Sequence, residues 1–204
     1  GFDDGIRRAD LVEGRLVKVE ADFEDGRWVA KEIEQRESNA EVDGALTAPP
    51  DQDSETLTVG GVEVRVTAST VITDDDDNNQ RLDFADLGEG WSYDVEGIDR
   101  GENGYLEALK IEREDDDDDG FELEGAITAL DDSSGQNRLT VLGLSILTNS
   151  STEFDDINYG QLSVGDRLEV EYVQQSDGQF LAEEIELEED DDDVDGDNDD
   201  SDDD

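Results

Sequence analysis

The sequence predicts an all-β protein built from tandem, small OB-like β-barrel modules that are joined by Asp-rich linkers. Three observations lead to this fold class. Apolar and polar residues alternate in short runs such as Val62–Val66, bounded by Gly and Asp, which is the pattern of β-strands. Long segments of the chain repeat one another, and runs of aspartate lie between and within the repeats.

The repeat defines two complete modules. Its matching segments are Glu41–Ala48 with Glu122–Ala129, Leu57–Val64 with Leu139–Ile146, Leu87–Glu96 with Leu162–Glu171, and Ala108–Ile111 with Ala182–Ile185. Turn signals such as Gly60-Gly61 and Asp177-Gly178 divide each copy into about five strands. Five short strands favour a small closed barrel, for which an OB-like barrel is the natural candidate.

The repeat also sets the domain boundaries. We expect a partial module or β-hairpin at 1–38, module A at 41–113, an acidic linker at 114–120, module B at 121–188 and an acidic tail at 189–204. In the first segment, residues 11–19 resemble a module opening and residues 27–33 a module closing. Either an upstream module is cut so that its last hairpin remains, or a long hairpin is native.

Hairpin 11–36 needs a partner under either interpretation, because an isolated hairpin is marginally stable in water. The partner is the next module or a neighbouring molecule, reached by β-strand addition. The chain begins at Gly1 and shows neither a signal-peptide-like segment nor an apolar run long enough to span a bilayer. We therefore expect a mature or excised chain with no membrane insertion.

The charge excludes several classes of partner. With 63 Asp and Glu against 14 Lys and Arg, the formal net charge is −49, which repels nucleic acid and anionic membranes and attracts oxygen-preferring cations such as calcium. The absence of Cys, His and Met excludes disulfides, thiol nucleophiles and zinc clusters. Carboxylate pairs are too common to identify a catalytic site, so we expect no enzyme.

These segments resemble a bacterial family, domain of unknown function 5666. The clearest match is residues 122–187, where the sequence Val-Gly-Asp-Arg-Leu-Glu-Val-Glu at Val164–Glu171 resembles the Val-Gly-Asp-x-Val-Glu-Val-Glu motif of the family. In residues 41–113 the turn of that motif is replaced by Glu89–Trp91, and Pro49-Pro50 extends the first loop. The resemblance implies the barrel fold and an exported, repeat-containing protein, and it supplies no catalytic residues.

The aspartate runs are the candidate calcium ligands. Adjacent carboxylates repel unless cations bridge them, and calcium accepts six to eight oxygens; the alternative is a solvated spacer. In the tail, the spacing from Asp191 to Asp202 around Gly196 fits part of an EF-hand loop, but without flanking helices a loose site is favoured. The candidates are Asp74, Asp75, Asp76, Asp77, Asp115, Asp116, Asp117, Asp118, Asp119, Asp191, Asp193, Asp195, Asp197, Asp199 and Asp202.

Two tryptophans are the candidate partner contacts. Most aromatic residues, Trp28 included, occupy positions where the repeat partner is also apolar, which favours core packing over a sugar-binding surface. Trp91 replaces the turn residue Asp166, and an exposed contact is expected there. Trp28, on the hairpin that needs a partner, is the second candidate.

Three functions are consistent with these features. The first is a secreted structural protein whose modules assemble, through strand addition or their seams, into a calcium-stabilised extracellular fibre or matrix. The second is a cell-surface binding module, an adhesin or carbohydrate-binding protein. The third is a calcium buffer. Each places the protein outside the cell or at its surface, with the periplasm as an alternative.

Overall fold

The computed structural model describes most of the chain outside the acid runs and the termini. The described residues are 8, 11, 17–24, 26–35, 38–75, 80–101, 104–115, 120–133, 136–155 and 157–188. Over these residues the chain forms fifteen strands and short 3-10 turns such as Phe84–Asp86 and Tyr159–Gln161. The all-β prediction is confirmed.

The strands are described in three groups. The hairpin consists of β1 (Val17–Glu24) and β2 (Arg27–Gln35). Module A consists of β3 (Ala40–Asp51), β4 (Thr56–Val59), β5 (Val62–Arg65), β6 (Val71–Asp74), β7 (Gln80–Arg81), β8 (Ser92–Asp99) and β9 (Leu106–Glu114). Module B consists of β10 (Phe121–Asp131), β11 (Asn137–Val141), β12 (Leu144–Thr148), β13 (Glu153–Phe154), β14 (Arg167–Gln174) and β15 (Phe180–Leu187).

Each module closes five of its strands into a barrel. In module A, β3 pairs antiparallel with β4 and β8, β4 with β5, and β8 with β9, while β5 and β9 pair in parallel. In module B the same connections link β10, β11, β12, β14 and β15. This order, antiparallel except for one parallel contact between the third and last strands, is that of an OB-like barrel.

Alternate residues of these strands fill the two cores. Val64, Val95 and Ile111 are fully buried in module A, as are Val170 and Ile185 in module B. The side chains between them point outward because successive residues of a strand face opposite sides. Pro49 and Pro50 differ from the prediction, since they lie inside β3 rather than in a loop. The pairing of β3 with β4 shifts register between Ala48 and Asp51, and such an irregularity accommodates residues that have no N–H to donate.

The two modules are joined directly by strand pairing. The first halves of β3 and β10 lie antiparallel, with Asp43 opposite Glu122, Val42 opposite Leu123 and Glu41 opposite Glu124. This contact links the barrels into one continuous sheet. Of the predicted linker between the modules, Asp116–Asp119 lie outside the described residues.

At this junction, an aromatic cluster of module B packs against the β4–β5 turn of module A. Phe121, Tyr172 and Phe180 pack together, with ring centroids 5.5–6.3 Å apart. The buried hydroxyl of Tyr172 donates a hydrogen bond of 2.9 Å to the carbonyl oxygen of Gly60. A Cβ added to Gly61 would clash with the ring of Phe180, so this turn requires glycine for close approach.

Candidate cation-binding face

The continuous sheet carries two rows of carboxylates on its outer surface, which we call the acidic face. The strands run in the order β9, β8, β3, β10, β14, β15, and directly opposed residues form each row. The first row begins with Lys110 and continues through Glu96, Glu41, Glu124, Glu169 and Glu186. The second row consists of Glu112, Asp94, Asp43, Glu122, Glu171 and Glu184, and Glu153 of β13 extends it.

Strand alternation places these side chains together. In β3 and β10, acidic residues flank the buried Val42 and Leu123, so each strand projects two carboxylates from the same face. Neighbouring strands lie about 4.8 Å apart, and directly opposed like charges destabilise a sheet. The pairing of β3 with β10 therefore adds repulsion between the modules unless cations or protons neutralise it.

Asp94 is the most perturbed carboxyl group of module A on this face. Burial raises the pKa of Asp94 to about 7; the negative charges of Glu41, Glu96 and Asp43 add to the rise, and Lys110 opposes it. Its Oδ1 is shielded from solvent and receives no hydrogen bond from the described residues. The site is thus better suited to a neutral acid or to a carboxylate beside a cation than to an isolated charge.

The crowding continues across the junction into module B. Burial raises the pKa of Glu41, and the negative charges of Glu96 and of Glu124 and Glu122 in the other module raise it further. Burial also raises the pKa of Glu169 to about 7, and nearby carboxylates led by Glu122 add to that rise. The charge on each of these carboxylates therefore opposes ionisation of its neighbours.

Two basic side chains partly offset the charge. Nζ of Lys110 lies 3.3 Å from Glu96 and 2.8 Å from Glu112. Burial works against the charge of Lys110, but its hydrogen bond with Glu112 and the charge of Glu96 outweigh burial and raise the pKa of the lysine. Arg167 pairs with Glu124 and donates a hydrogen bond of 2.6 Å to the carbonyl oxygen of Asn39 across the junction. The face remains strongly negative.

The rows hold their carboxylates side by side and do not converge on one point. Within the described ranges, no group of three or more acidic side chains is arranged as a metal-ligand set. Calcium on this face would therefore bridge pairs of neighbouring carboxylates, with water completing its shell of six to eight oxygens.

The predicted calcium ligands are only partly within the described residues. Asp74 is 6% exposed and forms an ion pair with Arg113, while Asp75 and Asp115 are exposed. Strands β6 and β9 run in parallel and bring Asp74 opposite Arg113, so Asp75 and Asp115 lie at the same end of the barrel. The other predicted ligands, Asp76, Asp77, Asp116–Asp119 and the residues of the tail, lie outside the described part, and their role stays a prediction.

Glu114, at the end of β9, lies within electrostatic reach of Asp75 at the end of β6. Burial raises the pKa of Glu114, and the charge of Asp75 is the next contribution. No local pattern in the sequence indicates that Asp75 and the end of β9 are neighbours, because the parallel pairing of β6 with β9 joins distant parts of the chain.

The two tryptophans differ from their predicted environments. Trp91 is partly buried and packs against the core, and the guanidinium of Arg113 lies 4.3 Å from the centre of its ring. Trp28 is 73% exposed, and Phe23 opposite it is 62% exposed. Core packing is thus wrong for Trp28 in this structure. Its role in binding a partner remains a prediction, as does that of Trp91.

The acidic face is the feature that sequence inspection missed. Its signal was the recurrence of Glu or Asp at alternate positions of several strands, as in Glu41–Asp43 and Glu169–Glu171. In a single strand this pattern only indicates a solvent-facing side. Separately, no helix in the described part of the chain has the length and apolar character needed to cross a bilayer.

Comparison with known proteins agrees with the barrel boundaries. A family described as a domain of unknown function, DUF5666, matches residues 2–34, 43–112 and 124–186. The last two segments coincide with the two barrels, and the first includes the hairpin. No curated protein sequence matches the chain. Because the three segments cover most of its length, the chain belongs to the DUF5666 family as a protein of tandem DUF5666 modules.

Proposed function

We propose that the protein is a secreted, acidic structural protein whose β modules assemble into a calcium-stabilised extracellular fibre or matrix. The observation that carries this proposal is the continuity of the acidic face across the junction, where carboxylates of β3 lie directly opposite carboxylates of β10. Calcium bridging such pairs would stabilise the contact between modules instead of leaving it strained by repulsion.

The net charge of the whole chain supports a role for cations in assembly. Molecules that carry a formal charge of −49 repel one another, and association at close range requires that this charge be neutralised. Monovalent ions screen it, whereas calcium can also join carboxylates of two surfaces directly. Exposed Asp75 and Asp115 at the end of module A extend the acidic surface beyond the two rows.

The test measures molecular mass by light scattering, and particle shape by electron microscopy, in calcium, in magnesium and in chelator. We expect large or elongated particles in calcium and a monomer in chelator. Magnesium should be less effective, because it dehydrates reluctantly and demands a more regular ligand geometry. An unchanged monomer in all three conditions would refute the assembly role.

A pair of double variants locates the effect on the acidic face. Asp43→Asn with Glu122→Gln removes two opposed carboxylates of the second row, and we expect it to raise the calcium concentration needed for assembly. The control variant, Asp53→Asn with Asp132→Asn, removes the same charge at exposed positions elsewhere. It should change the calcium concentration needed for assembly very little. Equal effects of the two variants would show that charge alone, and not the face, controls assembly.

Calorimetry separates this function from a calcium buffer. Many weak sites with no change in mass would support the buffer, whereas calcium uptake coupled to growth in mass supports the structural role.

A further inference from the structure

The β1–β2 hairpin has the register of the last hairpin of a complete module. Opposite Glu20–Ala21, strand β2 contains one extra residue, Lys31, which forms a bulge. The β8–β9 hairpin has the same irregularity between Glu96 and Gly97, and β14–β15 has it between Glu171 and Tyr172. A bulge is a specific local feature, and its recurrence identifies β1–β2 as the fourth and fifth strands of a barrel.

The same registers assign equivalent positions in the three hairpins. Val19 faces Ile33 as Val95 faces Ile111. This assignment makes β1 the counterpart of β8 and β14, whereas the sequence of residues 11–19 resembles a module opening.

Positions that are buried in the complete modules are exposed in the hairpin. Val95 and Val170 are 0% exposed, whereas the equivalent Val19 is 49% exposed. Leu106 is 0% exposed, whereas the equivalent Trp28 is 73% exposed. The hairpin therefore presents half of a barrel core, and within the described residues its two strands pair only with each other.

The complete modules show what covers this half-core. In module A, the fourth strand pairs antiparallel with the first, where Val95 lies opposite Val42. The fifth strand pairs in parallel with the third, where Leu106 lies opposite Val64. The covering unit is the opening three-stranded meander, β3–β5 in module A and β10–β12 in module B.

We propose that the apolar face of the β1–β2 hairpin, formed around Val19, Phe23 and Trp28, is a docking surface for the opening three-stranded meander of a further copy of this module. The two opening meanders in this sequence already close their own barrels, so the occupant is supplied by another module. Its first strand pairs antiparallel with β1, its third strand pairs in parallel with β2, and its inward side chains cover Trp28 and Val19.

The edge contact between Phe23 and Trp28 fits this partner. Their ring centroids are 5.3 Å apart at an angle of 64°, and they lie opposite each other at the turn end of the hairpin. Phe180, at the position of Trp28 in module B, packs against Tyr172 and Phe121 and approaches Gly61. An aromatic ring at this position is thus accommodated where a complete barrel meets its neighbour.

The experiment adds a peptide of residues 120–155, the opening meander of module B with β13, to the full chain carrying Trp91→Phe. Trp28 is then the remaining tryptophan, and its fluorescence reports on the hairpin. We expect the emission to shift to shorter wavelength and to saturate at one peptide per chain. Hydrogen exchange should slow in β1 and β2, with no change in β14 and β15.

Matched variants test whether the fluorescence shift and the protection arise from docking at the hairpin. The Trp28→Ser variant should bind the peptide at least about tenfold more weakly, as expected for the loss of an aromatic anchor. Binding to this variant is measured by hydrogen exchange of β1 and β2. A peptide carrying Leu139→Asp and Ile146→Asp, two residues buried in module B, should not bind. Equal binding of the peptide to the Trp28→Ser chain would overturn the proposal, as would a lack of both fluorescence shift and protection.

A second occupant is tested in the same samples. If the full chain without peptide forms dimers in which Trp28 emission shifts and β1 and β2 are protected, the hairpin is covered by a second copy of itself and the proposal is wrong. The inference rests on the proposed assembly, because it describes how the hairpin would contact a further module in that assembly. All measurements are made in chelator, so a failure of the peptide to dock is distinguished from a failure of calcium-stabilised assembly.

Discussion

Asp94 is the carboxyl group of the acidic face in module A whose pKa is raised most. Its pKa is raised to about 7 by burial and neighbouring carboxylates, so the folded protein binds a proton more tightly at this position than the unfolded chain does. The folded state therefore carries more protons between about pH 4 and pH 7, and stability falls as pH rises through that range. The coupled carboxylates Glu169 and Glu41 shift in the same direction.

We predict that Asp94→Asn stabilises the protein in chelator at about pH 8 by on the order of 1–3 kcal/mol, each pKa unit corresponding to about 1.4 kcal/mol. The amide keeps the shape of the acid and removes its charge. The difference in unfolding free energy between about pH 5 and pH 8 should shrink in the variant. Urea denaturation at both pH values measures this.

Asp132→Asn is the control for this prediction, since it removes one negative charge at an exposed position away from the acidic face. Its stability should follow that of the parent protein at both pH values. Equal pH dependence in the Asp94→Asn variant and the parent would show that Asp94 does not dominate the effect.

At the scale of the strands, local sequence predicted much of each barrel and little of what joins the barrels. The alternation in Val62–Val66 and the Gly60-Gly61 turn led directly to β4 and β5, because side-chain period and turn chemistry are local properties. The pairing of β3 with β10 has no such signal. Its outward residues Glu41 and Glu124 look like any solvent-facing positions, and only the tertiary structure brings them together.

The β4–β5 turn gives a prediction at this scale. Gly61→Ala should destabilise the protein more than Gly178→Ala, by about 1–3 kcal/mol, because the added methyl group clashes with Phe180. Both glycines have positive φ, +92° and +84°, but Gly178 has open space around its Cβ direction. Backbone strain is thus similar in the two variants, and the difference between their losses of stability measures packing at the junction. Thermal or urea denaturation gives both values, and equal losses would contradict the close contact between the modules.

At the scale of the whole molecule, the dominant quantity is the charge of −49. Self-repulsion of this size opposes the compact state, and its range depends on ionic strength. The Debye length falls from about 30 Å at about 0.01 M salt to about 3 Å at about 1 M. Salt should therefore act on the stability of the whole chain and not on one ion pair.

We predict that the melting temperature rises steadily with NaCl over that range. Calcium chloride at matched ionic strength should raise it further, because bridging of neighbouring carboxylates adds to screening. A scanning measurement of thermal unfolding in both salts checks this. A melting temperature that is independent of NaCl would mean that self-repulsion contributes little to the stability of the folded protein.

The pairing of β3 with β10 also limits how an array can grow. Glu41–Asp43 and Glu122–Glu124 are equivalent segments of the repeat, and each lies antiparallel to the other, so exchanging the two modules leaves the contact unchanged. A self-complementary contact of this kind is closed, since two partners satisfy it completely and neither offers the same surface to a third. The repeating unit of any longer array is therefore a module pair, and its growth requires a different, head-to-tail surface.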